Sequence, residues 1–341
     1  MRGPIAATPR LAASRSAASP DRPHPRPGYG RDAVERALCA VARLVARAPL
    51  LDVVALLALP LAWCVRLRAL NGRTVVQAID GLFGPLSLRG RMTIARQIVA
   101  TELRNRCLGQ LIRLAGLASV VRLIRCVDVR SLEAVRVANR GAVIVYWHHG
   151  ARAAVSAALR QLGMGGVFFS HEPRGFGAAS REHPDAPPVE FLVVRESRHR
   201  VAHLARAVRH LSAGGLVGIA MDGRQGTATV EVPFLGRGFA VTRGPALLPR
   251  LTGAPLIPVV ATWASDGAIE VRSFEPLAVP PVAGRDPEQW DRAVLTLAAQ
   301  FFEALVRRTP GQVRGASLRN YWRAPEWRPP DGVRPGSDPP P

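Results

Sequence analysis

The sequence predicts an α/β fold: a single domain with a central, mostly parallel or mixed sheet flanked by helices, preceded by a helical N-terminal region. Two observations point there. From Gly141 onward, short runs of β-branched and aromatic residues alternate with segments whose apolar residues recur every three to four positions, as expected for strands alternating with helices. Before Gly141 the helical spacing prevails. At 341 residues the chain is also long enough to bury a sizeable core.

Residues 1–30 are rich in Ala, Arg, Ser and Pro, with Asp21 as their one acid and no apolar core of signal-peptide length. They read as a disordered tail, although organelle transit peptides share the composition. Residues 31–70 read as a membrane-associated helical segment. In "RAPLLDVVALLALPLAWCVRLR" the uninterrupted apolar run covers residues 53–65, short of the roughly 20 residues that cross a bilayer comfortably. Asp52 and Pro60 weaken a spanning helix further. The flanking Arg43, Arg47, Arg66 and Arg68 suit a segment lying in a lipid interface. A buried core helix is the plain alternative, and a short span stays open.

The α/β domain follows over residues 71–325. Its opening stretch, 91–122, places apolar residues at helical spacing between arginines. Strands are expected at 142–147, 166–170, 189–194, 216–221, 229–235, 256–262 and 268–274, and helices at 150–162, 198–213 and 243–253. A last helix begins at "DPEQW", with Asp286 as cap and Pro287 in the first turn. Residues 326–341, "EWRPPDGVRPGSDPPP", read as a disordered tail.

The charge is unusual: 46 basic residues, all arginine, stand against 25 acidic ones, a formal net charge of +21. Such a surface is drawn to anionic lipid, anionic substrate or nucleic acid. The arginines are spread along the chain without an aromatic-interleaved basic motif, which argues against a specific nucleic-acid partner. Cys39, Cys64, Cys107 and Cys126 form no C-x-x-C pair and read as reduced, buried apolar residues.

Two strands end in residues capable of chemistry. "VIVYW" runs into His148 and His149, and "LVGIAM" into Asp222, Gly223 and Arg224. In an open parallel sheet, functional groups gather beyond the carboxyl ends of the strands, so His148 and Asp222 share a crevice if their strands are parallel and close. A histidine there suits a general base; a helix-capping or packing role is the alternative. His199, His203 and His210 fall on one helical face, but the arginines crowding them repel a metal ion, so a solvated basic face is expected. Glu172, in a Gly-containing loop, is a spare carboxylate.

Three segments carry a family resemblance: "GAVIVYWHHGARAA", the long stretch "GGLVGIAMDGRQGTATVEVPFLGRGFAVTRGPALLPRLTGAPLIPV", and the weaker "VRRTPGQVRGASLRNYWRAPEWRP". Together they resemble the lysophospholipid acyltransferase superfamily, in particular its bacterial lipid A biosynthesis (lauroyl/myristoyl) acyltransferases. The resemblance implies a membrane-associated enzyme that moves a fatty acyl group from acyl-CoA or acyl carrier protein to a hydroxyl or amine of a lipid acceptor. Anionic lipid would be its partner, and it would work at the cytoplasmic face of the inner membrane without metal or cofactor. It implies His148 as catalytic base with Asp222 as a supporting acid. His149, Arg152, Glu172, Gly223 and Arg224 would be substrate-binding, and Arg195, just past a strand, and Arg243, at a helix start, are candidate anion contacts by their placement. The family motif H-x4-D/E also calls for an acid five positions after the histidine, where this chain has Ala153, and Val313 replaces a tryptophan of the closing signature, with Tyr321, Trp322 and Arg323 as the candidate shifted equivalent. A non-catalytic relative that binds acyl chains or anionic lipid is the alternative those departures raise.

Overall fold

A computed structural model describes residues 72–115, 118–170, 189–193, 200–222, 229–282 and 286–327. The expected tail at 1–30, the apolar run at 53–65 and the C-terminal tail from 328 lie outside the described residues. In chain order the helices are α1 (Gly72–Phe83), α2 (Leu88–Ala115), α3 (Ala118–Val121), α4 (Arg130–Val137), α5 (Ala154–Gln161), α6 (Arg200–Ser212), α7 (Gly244–Thr252), α8 (Pro287–Arg308) and α9 (Gly315–Arg323), with a 3-10 turn at Pro310–Gln312 between the last two. The strands are β1 (Ile124–Asp128), β2 (Ala142–Tyr146), β3 (Gly166–Ser170), β4 (Val189–Val193), β5 (Leu216–Ala220), β6 (Thr229–Phe234), β7 (Arg237–Thr242), β8 (Leu256–Trp263) and β9 (Ile269–Ser273).

Seven strands form one sheet in the order β1-β9-β8-β2-β5-β3-β4. The pairs are parallel except β8 with β9, which is antiparallel. This is the α/β domain with a mostly parallel sheet that the sequence predicts. Every residue of β2 is buried, because the strand is central in the sheet and covered on both faces. Its alternating side chains feed two cores. Val143, Val145 and Trp147 pack with Val294, Leu295, Ala298 and Phe302 of α8. Ala142, Ile144 and Tyr146 pack with Ala154, Val155 and Ala158 of α5.

The last long helix starts as expected: the Asp286 carboxylate accepts the backbone N–H groups of Glu288 and Gln289 at 3.0 and 2.9 Å, ahead of Pro287. Other elements differ. The strand expected at 229–235 forms outside the main sheet, paired antiparallel with β7. Leu235 and Gly236 both have positive φ (53° and 73°), the geometry of a two-residue turn that matches the strand twist. Glu303 of α8 secures that turn by accepting the Leu235 N–H at 2.8 Å. The helix expected at 150–162 begins only at Ala154, because residues 150–153 form a tethered turn. The chain also adds β1, β7, α4 and α9, short elements whose apolar pattern is too brief to stand out locally, and the 12-residue helix α1.

Cys107 and Cys126 are unpaired and half-buried rather than buried, and burial pushes both thiols up. On the helical face expected to be solvated and basic, Arg206 and Arg209 of α6 are exposed while His203 and His210 are half-buried; His199 lies outside the described residues. No helix among the described residues is long and apolar enough to cross a membrane.

Candidate active site

The site is built where β2 and β5 end together. These strands are parallel neighbours in direct register, Tyr146 opposite Ala220, and the Met221 N–H still donates to the Tyr146 carbonyl at 2.9 Å. Two residues beyond that last pair on each strand stand His148 and Asp222. Equal spacing past a shared register therefore brings them face to face. The Asp222 carboxylate accepts the His148 backbone N–H at 3.0 Å on Oδ1 and 3.2 Å on Oδ2, and Oδ1 lies 2.5 Å from His148 Nδ1. An ionised carboxylate only accepts, so the shared proton belongs to Nδ1–H and the Nε2 lone pair is the one available for chemistry.

The Asp222 side chain is 2% exposed and that of His148 is 20% exposed. Burial pushes the His148 imidazole below its ordinary value; Asp222 opposes this, while Arg152 and Arg314 add to the lowering. The ring is thus neutral at pH 7, with a carboxylate placed to stabilise the imidazolium when it forms. Position 153, where a helix-borne acid would stand, is Ala153, which caps the N-terminus of α5 without a side-chain hydrogen bond.

A third group holds Asp222. Tyr321 of α9 donates its hydroxyl to Asp222 Oδ2 at 3.2 Å, and the Tyr321 hydroxyl oxygen accepts Trp147 Nε1–H at 2.5 Å. The Trp147 ring is wedged among Phe234, Phe239 and Phe302, so the residue preceding His148 is fixed by the aromatic core.

The turn after the histidines is tied from three directions. Gly150 N–H donates to the Gln312 carbonyl at 2.8 Å, Ala151 N–H to the Ala261 carbonyl at 2.7 Å, and Asn105 Nδ2 to the Gly150 carbonyl at 2.9 Å. The Gln312 side chain bonds both backbone groups of Trp263. Gly150 has φ +54°, and a Cβ on it would lie 2.2 Å from the Ala261 carbonyl oxygen. Only glycine fits there.

His149 turns away from Asp222. It is 2% exposed, and its Nε2 lies 2.9 Å from the Thr309 hydroxyl. That hydroxyl already donates to the Leu305 carbonyl at 2.9 Å, so Nε2–H donates to Thr309. Burial pushes the His149 imidazole down to about 4. The sequence suggested a substrate contact for this residue; the structure gives it an internal partner, because α8 and the 3-10 turn close over it. Arg243, expected as an anion contact at a helix start, does precede α7, but its guanidinium is paired with Asp291 of α8. Asp291 is fully buried and also accepts Arg250 Nε at 2.9 Å, so this arginine neutralises a buried carboxylate between α7 and α8.

His148, Asp222 and the charge of Arg152 are thus brought together, whereas His149 and Arg243 are engaged elsewhere. Glu172, Arg195, Gly223 and Arg224 lie outside the described residues. Sequence reasoning missed Trp147, Asn105 and Gln312, since their roles depend on elements remote in the chain. Among the described residues no group of three or more His, Cys, Asp or Glu is placed to hold a metal ion. Across residues 39–313 the chain matches the family model described as bacterial lipid A biosynthesis acyltransferase. No curated protein matches it.

Proposed function

The chain belongs to the family of bacterial lipid A biosynthesis acyltransferases, and from that premise we propose that it moves a fatty acyl group from a thioester donor to a hydroxyl, or an amine, of a lipid or glycolipid acceptor. The observation that carries this reading is the His148–Asp222 pair at the joined ends of β2 and β5. His148 Nε2 takes the proton of the acceptor hydroxyl as its oxygen attacks the thioester carbonyl carbon. A C–O bond forms and the carbonyl electron pair moves to oxygen. The tetrahedral intermediate then collapses, the C–S bond breaks with its electron pair on sulfur, and the proton on His148 passes to that sulfur. A thiol leaves and the neutral base returns.

Asp222 fills the role that Ala153 cannot. It holds the Nδ1–H tautomer and stabilises the transient imidazolium, as the acid does in a Ser-His-Asp triad, where such roles follow geometry rather than chain order. The thioester brings its own activation, so acyl-CoA or acyl carrier protein enters as a co-substrate. Arg152, whose charge reaches His148, suits an anionic acceptor. The net charge of +21 and the apolar run at 53–65 support work at an anionic leaflet, which we place at the cytoplasmic face of the inner membrane.

Ala153 is the feature that favours a non-catalytic lipid-binding relative instead. Lipid profiles of cells lacking the protein, complemented with wild type, His148→Ala or Asp222→Asn, separate the two. An acyltransferase restores one acylated lipid as wild type, not as His148→Ala, and only in traces as Asp222→Asn. Full restoration by His148→Ala would establish the binding relative.

A further inference from the structure

On the side of Asp222 away from His148 lies a buried polar pair that the reaction as written does not use. Tyr321 is buried from α9 between the rings of Phe234 and Phe239, both edge-on at 5.0 and 5.1 Å. Its hydroxyl meets Trp147 Nε1 at 2.5 Å and Asp222 Oδ2 at 3.2 Å, and Ser317 bonds it as well. The chemistry of the three groups fixes the direction of this chain. An indole N–H only donates, a carboxylate only accepts, and a phenol has one proton. The charged carboxylate is the strongest acceptor within reach, so the proton of Tyr321 goes to Asp222 while its oxygen accepts from Trp147. Burial pushes the Tyr321 phenol well up, with the Asp222 charge adding to it. The hydroxyl therefore remains a donor at any pH at which His148 titrates.

We propose that Tyr321 is a positioning residue of this site, holding the Asp222 carboxylate on His148, and that Trp147 fixes the Tyr321 hydroxyl in turn. The proposal rests on the His148–Asp222 reading and deepens it. A carboxylate recruited from a neighbouring strand is a short side chain on a strand end, and among the described residues its Oδ2 has only the His148 backbone N–H at 3.2 Å besides Tyr321. Without the phenol, that oxygen is buried and poorly satisfied. The carboxylate is then less firmly oriented, and more of its charge acts on the imidazole. Two consequences follow: slower turnover, and an imidazole that holds its proton more tightly. Arg152 ahead of α5 and Arg314 ahead of α9 also bear on the His148 charge, and His149 and Tyr146 of the same strand end feel Asp222. All four are retained in the variants below.

The test is an NMR titration of ¹⁵N-histidine-labelled full-length protein in detergent, with the His148 ring followed in wild type, Asp222→Asn, Tyr321→Phe and Trp147→Phe. Asp222→Asn is expected to lower the His148 midpoint. Tyr321→Phe keeps the aromatic packing and is expected to raise the midpoint by about half a unit to one unit, with Trp147→Phe raising it less. In acyl transfer, Tyr321→Phe should lower kcat by about tenfold with KM little changed. If Asp222→Asn moves the His148 midpoint and neither aromatic variant does, Tyr321 merely packs and the proposal is overturned while the dyad stands. If Asp222→Asn does not move it either, both readings fail. Should Tyr321→Phe not fold, Trp147→Phe alone decides, since it breaks the same chain one link earlier.

Discussion

His148 and His149 are the same residue type, adjacent in the chain, at the end of one strand, and the fold gives them opposite surroundings. On one side His148 keeps a fifth of its side chain exposed and places Nδ1 on a buried carboxylate. On the other, His149 is sealed against α8 and bonded to a neutral hydroxyl. Burial lowers the proton affinity of both rings, but only His148 has a carboxylate hydrogen-bonded to its ring as a counterweight. A ring with access and a charge partner is fit to cycle a proton. A ring with neither serves best by staying neutral. Chain position is shared; chemical capacity is set by what the other elements bring.

The most severe way to break this comparison is at Asp222. Asp222→Asn should lower kcat by about 10³–10⁴, the scale seen when a triad loses its acid, far beyond the loss of stability from weakening the buried hydrogen bonds that its carboxylate accepts. A loss below tenfold would mean that His148 works without the partner assigned to it.

Gly150 holds both histidines at once. Gly150→Ala forces a side chain into φ +54° against the Ala261 carbonyl and should cost about 3 kcal/mol or more in chemical denaturation. A neutral outcome would show that the turn is looser than its three tethers imply.

The buried histidine has a pH signature of its own. Its folded value of about 4 lies below the ordinary 6.5, so between those limits the unfolded chain binds a proton that the folded one refuses. Stability is therefore full above about pH 6.5 and declines as pH falls to 4, by up to about 3 kcal/mol. His149→Gln should flatten that decline in denaturation curves measured across the window, without abolishing acyl transfer. An unchanged decline would assign the acid sensitivity to other groups.

The mildest change sharpens the contrast. Thr309→Val removes the hydroxyl that accepts His149 Nε2–H and should lower stability by about 1–2 kcal/mol, with kcat within a fewfold of wild type. A larger effect on kcat than on stability would bring the buried side into the chemistry.

The sequence by itself determined the α/β class, the strands that become β2 and β5, the polar residues at their ends, the capped start of α8 and the absence of an acid at position 153. Each is a local property: a run of β-branched residues, an Asp-Pro pair, a residue at a fixed spacing. Local pattern cannot state which strand lies beside which. Tertiary structure alone decided that β2 and β5 are in register neighbours, which sets His148 on Asp222. It decided that a two-residue turn folds β6 out of the sheet onto β7. It also gave His149 and Arg243 internal partners and brought Tyr321, 99 residues beyond Asp222, onto its carboxylate. These outcomes rest on contacts between segments far apart in the chain, chosen by whichever packing of the whole buries the most apolar surface while satisfying the polar groups it encloses.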